Sequence, residues 1–189
     1  MKVKSAIALL ACLSSVPSVC IFLAIGSIAA AQAPSRDSWS DENGTLRAKA
    51  VIGDCLNGLS ASQSAGICVP RAFEACEDEH GTSQRQMNDC ATFSRLAWEG
   101  RRVDAAKRLM AARSSGVRFP SPEPHIKHLV ESEGRWEAWN RSDCEMQAAF
   151  SEGGTYHRYD LDICLSNHAA NRAIELERLI DVWQKIFVL

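Results

Sequence analysis

Beyond its first 33 residues the chain has no Cys-x-x-Cys pair, no basic excess and no strand-like alternation of apolar and polar residues. Each absence excludes a class. The closest remaining cysteines, Cys68 and Cys76, are too far apart for a zinc knuckle, so a metal is not expected. A formal charge of −2 excludes the clear basic surplus of a nucleic-acid binder. Missing period-two patterning leaves an all-α fold of about five helices, packed as antiparallel hairpins and stapled by disulfides. Nor is there a nucleophile with its base, a pair of tuned carboxylates or a ligand cluster at recognisable spacing. The sequence therefore reads as a binding protein, with no enzymatic activity and no cofactor.

What is present begins with an export signal. Met1-Lys2-Val3-Lys4 leads into apolar sequence that ends in the small-x-small exit Ala31-Gln32-Ala33. A signal peptide over 1–33, cleaved near Ala33, is the expectation; uncleaved, the segment would be the only membrane contact. Its loss takes the balance from 21 basic against 23 acidic side chains to 19 against 23, near −4. The mature protein is expected in the periplasm or outside the cell.

Residues 34–45 read as a disordered leader. From Leu46 a first helix carries Ile52, Cys55, Leu56 and Leu59 at i, i+3, i+4 and i+7, and stops at Gly58. A short helix starts near Pro70, with Phe73 and Cys76 on its buried side, and closes at Gly81. These two form a helical cap over 46–82, ahead of a main domain over 83–189. Ser83 and Gln86 make a capping box for a third helix, whose apolar stripe runs Met87, Cys90, Ala91, Ser94, Trp98, Ala105 and Leu109. Its other face, with Arg95, Arg101, Arg102, Lys107 and Arg108, reads as solvated surface. Prolines 120, 122 and 124 mark a linker. A fourth helix is expected over Glu123–Phe150, with Ile126, Leu129, Val130, Trp136, Trp139 and Cys144 inward; Trp136 and Trp139 are the expected core anchors. Gly153-Gly154 ends it. A fifth helix follows from about Arg158 to Phe187.

Eight cysteines less Cys12 and Cys20 leave six, an even number suited to an oxidising compartment. Cys144 and Cys164 stand at matching distances on either side of the glycine turn. Cys76 and Cys90 likewise flank His80-Gly81, and Cys55 and Cys68 flank the serine-rich loop. Three local staples, 55–68, 76–90 and 144–164, are therefore expected.

Taken together, Met87-Asn88 with Cys90-Ala91, Trp136 and Trp139 before Cys144, Gly153-Gly154-Thr155, and Cys164-Leu165 resemble the bacterial LprI-like lysozyme inhibitors. The resemblance spans roughly Cys76 to Leu179. It departs at Asn140-Arg141, where the family usually has Arg-Asp, and at Val103–Lys107. It implies an exported helical domain that inhibits lysozyme, or a related muramidase, by occlusion. The alternative is a structural or interaction module of the bacterial envelope with another protein partner. Animal lysozymes are cationic, so Glu74, Glu77, Asp78 and Glu79 are the candidate partner-binding residues. His125 and His128 are three residues apart on one helix but lack a matching carboxylate or thiolate, and are read as exposed or capping.

Overall fold

Five helices account for nearly all of the regular structure in the computed structural model, which describes residues 39–40, 43–60, 62–114 and 123–187. They are α1 (Gly44–Asn57), α2 (Arg71–His80), α3 (Gln84–Ser114), α4 (Glu123–Ala148) and α5 (His157–Phe187). No strand occurs among the described residues. The expected signal peptide lies outside them. Among the described residues, no helix is long and apolar enough to cross a membrane.

Local chemistry sets the helix ends. Gly58 caps α1, its N–H bonding Asp54 O at 3.0 Å. Gly81 takes φ 118°, which a side chain rarely allows, and the chain turns there from α2 into α3. The α3 capping box is reciprocal: Gln86 N–H reaches Ser83 Oγ (3.4 Å), and Ser83 N–H reaches Gln86 Oε1 (3.2 Å). The Gln86 side chain also donates to His80 O, tying this cap to the end of α2. At the far end of α4, a 3-10 turn over Ala149–Ser151 and Gly153 at φ 77° reverse the chain into α5.

The central seam is α3 against α5, and the two run parallel. Thr92 and Arg95 meet Asp162, Ser94 meets Ser166 in a buried 2.9 Å hydrogen bond, and Arg101 meets Glu177. Small residues permit the close approach: Ala91, Ala97 and Ala105 on α3 and Ala169, Ala170 and Ala173 on α5 are all buried. α4 returns antiparallel between them in sequence. One core layer gathers Trp39, Ile52, Cys76, Phe93 and Trp98 with the α5 alanines; a second gathers Leu109, Leu129, Leu176 and Ile180. Burying a side chain of this size contributes about 1.5–3 kcal/mol.

Trp39, inside the expected leader 34–45, belongs to the core. It is 1% exposed, stacks on Phe93 with ring centroids 6.3 Å apart, and donates its indole N–H to Glu79 at 2.9 Å. One aromatic in a polar stretch carries no periodicity, so nothing local marked it as core. α1 accordingly begins at Gly44, which lies so close to Phe93 that a Cβ would stand 2.5 Å from the ring. The helices of the expected cap thus share one core with α3 and α5.

Disulfides Cys55–Cys68, Cys76–Cys90 and Cys144–Cys164 join α1 to the loop before α2, α2 to α3, and α4 to α5. Loops of this size contribute about 3 kcal/mol each in the chain-entropy picture.

Candidate functional site

The basic face of α3, expected as solvated surface, instead ties the bundle together. Arg102, 7% exposed, reaches Glu133 and Glu137 of α4 at 2.6 Å each and lies 4.8 Å above the Trp136 ring. Glu133 is shared: Arg172 of α5 also binds it at 2.6 Å. Arg95 bonds Asp162 at 2.7 Å, and Arg101 and Arg108 both hold Glu177. Long stems let these guanidiniums lie along the helix surface while their heads meet carboxylates of neighbouring helices. Burial alone would lower the pKa of Arg95, but Asp162 and Glu99 outweigh it and raise it; Glu175 and Glu133 do the same for Arg172.

Among α3, α4 and α5 these pairs border an open groove of about 720 Å³, whose lining includes Arg95, Glu99, Arg102, Trp136, Glu137 and Asp162. Arg95, Arg102, Glu137 and Asp162 in its lining already pair across the helices, so they serve the fold before any ligand.

The expected acidic surface is partly consumed. Glu79 accepts from Trp39 and from Arg47; burial would raise its pKa, but those hydrogen bonds hold the carboxyl below its ordinary value. A general acid needs the opposite shift. Glu74 pairs with Arg71 at 3.1 Å. Glu77 is half-buried near Tyr159, whose hydroxyl is pushed up first by burial, then by Glu77 and Asp160. Asp78 is exposed.

The two expected core anchors separate. Trp136 is half-buried and packs on the main core. Trp139 is 53% exposed, a correction to its expected place inside. It lies three residues on, a net turn of about 60° around α4, and only one of its faces is covered, by His168 with centroids 4.9 Å apart. Val130, also expected inward, is exposed. Beneath Trp139, His168 Nδ1–H donates to Oδ1 of buried Asn140 at 2.9 Å. The departure at Asn140 is thus an internal contact.

His128 is exposed beside Glu131, and the His125 side chain lies outside the described ones. Among the described residues, Cys144, Cys164 and His168 bring possible ligand atoms within 4.8 Å of one another, but the two sulfurs are bonded together.

A surface that sequence reasoning missed lies along the outside of α4. Trp139, Met146 (59% exposed) and Phe150 (96% exposed) follow at spacings of seven and four, which is one helical face. Its signal was present as that spacing, but inward and outward stripes look alike in a sequence.

A family model described as Lysozyme inhibitor LprI matches residues 76–176. No curated protein and no solved structure matches the chain. The match runs from Cys76 in α2 to Leu176 in α5, taking in the parallel seam, the α4 return and two of the three disulfides, and the chain belongs to the LprI lysozyme inhibitor family.

Proposed function

We propose that the protein is exported on its N-terminal segment, cleaved near Ala33, and inhibits lysozyme or a related muramidase by covering the substrate cleft. It performs no reaction of its own. The family match over residues 76–176 carries this reading. Two features of the scaffold support it. Three disulfides and the cross-helix ion pairs hold the surface in one shape, so little order is lost on association. The half-buried Glu133 and the buried Asp162 are committed to arginines rather than arranged about a reacting atom.

An envelope interaction module with another protein partner is the second reading, favoured by the departures at Asn140-Arg141 and Val103–Lys107. A turbidity assay separates the two. Purified mature protein is added to bacterial cell walls undergoing lysis by a cationic animal lysozyme. Dose-dependent protection that weakens as salt rises is the expected outcome. Unprotected walls at a large molar excess of the protein would remove the inhibitor reading.

A further inference from the structure

We infer that the outer stripe of α4 and the turn that follows it form the face that enters the cleft of a cationic lysozyme. This rests on the inhibitor reading above and assigns its contact surface. A cleft is filled by something convex, and Phe150 projects almost fully into solvent from the 3-10 turn at the end of α4. Met146 and Trp139 extend the same apolar line back along the helix for about 16 Å at the helical rise. Tyr156, 52% exposed, stands across the turn.

The turn is rigid. Ser151 Oγ and His157 Nδ1 both donate to the Ala148 carbonyl, at 3.0 and 2.9 Å, and Cys144–Cys164 braces the two helices behind it. A projecting aromatic that is already ordered is the usual anatomy of an interface anchor. Charge selects the partner. Between Ser142 and His157 the chain carries Asp143, Glu145 and Glu152 and not one lysine or arginine, with Arg141 and Arg158 just outside. At the Phe150 end the apolar line is rimmed by the exposed carboxylates Glu145 and Glu152, which suits a cationic protein and is repelled by an anionic membrane, while Arg135 and Arg141 stand within four positions of Trp139 at the other end. Of the α2 acids, Glu79 and Glu74 hold Arg47 and Arg71; near the turn Asp143 likewise meets His168 and Gln147, while Glu145 and Glu152 are exposed.

The test compares mature wild type, the Phe150→Ala/Met146→Ala double variant and a Glu145→Lys/Glu152→Lys variant in the cell-wall lysis assay. All four side chains are exposed, so unfolding curves should superimpose. The first variant should weaken inhibition roughly tenfold or more. The charge variant should weaken it at low salt, with the difference narrowing as salt rises. If wild type inhibits and both variants match it within twofold, the surface is wrong and the inhibitor reading stands. If wild type neither inhibits nor binds lysozyme, both fall. Sedimentation of wild type, but not of the Phe150 variant, with phosphatidylglycerol vesicles would reassign the stripe to a membrane surface.

Discussion

Glu133 sits between two guanidiniums, Arg102 of α3 and Arg172 of α5, each 2.6 Å away. Truncating different members of this trio should have unequal costs. Glu133→Ala leaves two nearly buried cations without the carboxylate between them. Removing one partner of a buried pair costs about 3–5 kcal/mol. Here each arginine keeps one solvent-exposed carboxylate, Glu137 or Glu175, so the loss should lie near the lower end, about 3 kcal/mol. Arg102→Met is different. Glu133 keeps Arg172, the methionine still packs on Trp136, and a buried Arg102 Nε–H that has no hydrogen-bond partner disappears. Replacing a buried ion by an apolar side chain of similar reach is often neutral, so a loss of about 0–1 kcal/mol is expected. Urea unfolding of the oxidised protein at neutral pH measures both variants. For a chain of this size, Glu133→Ala should lower Tm by roughly 6–12 °C, and Arg102→Met by at most about 4 °C. An Arg102→Met loss equal to or larger than that of Glu133→Ala would refute the claim that Glu133 is the hub.

Three further outcomes are expected. Trp39→Ala should cost about 3–5 kcal/mol in denaturant unfolding, because the indole is almost wholly buried; a cost under about 1 kcal/mol would return residue 39 to the surface. Glu79 has a lowered pKa, so its contribution is complete above the ordinary carboxylate value of about 4.3 and fades as pH falls through the folded value. Glu79→Gln should therefore flatten the acid limb of the stability–pH curve and leave its slope near neutrality unchanged. Gly81→Ala should cost about 1–3 kcal/mol, since its φ of 118° disfavours a side chain and a Cβ would stand 2.7 Å from Gln86 Oε1, displacing the α3 cap. Thermal unfolding checks it, and an unchanged Tm would contradict the strain.

Much of this fold was legible in the sequence because helix signals are local. Ser83 with Gln86 marks the start of α3, Gly58 the end of α1, and the α4–α5 reversal falls at Gly153-Gly154. What was not legible required knowing neighbours. A stripe of Ala91, Ala97 and Ala105 announces a buried face but not that α5, rather than α4, covers it. Arg102 looks like surface until Glu133 and Glu137, over thirty positions away, are brought to it. Trp39 depends on Glu79, at a separation of 40 residues. Trp139 shows the converse: a large aromatic on an amphipathic helix reads as core, yet a net turn of about 60° from the half-buried Trp136 leaves it exposed at the edge of the packed face. The candidate site suffers the same ambiguity, since Met146 and Phe150 carry the right spacing without its direction.

The parallel α3–α5 seam also bears on how quickly the chain finds its native state. Helical proteins usually fold fast because their contacts are made between near neighbours. Here the seam joins residues separated by 67 to 76 positions, through Arg95–Asp162, Ser94–Ser166 and Arg101–Glu177. An α4–α5 hairpin that closes first, across the short Gly153-Gly154 turn, would shorten that search by docking on α3 as one body. Refolding with reduced thiols should accordingly be slower than with the Cys144–Cys164 bond intact, by more than the stability difference alone implies.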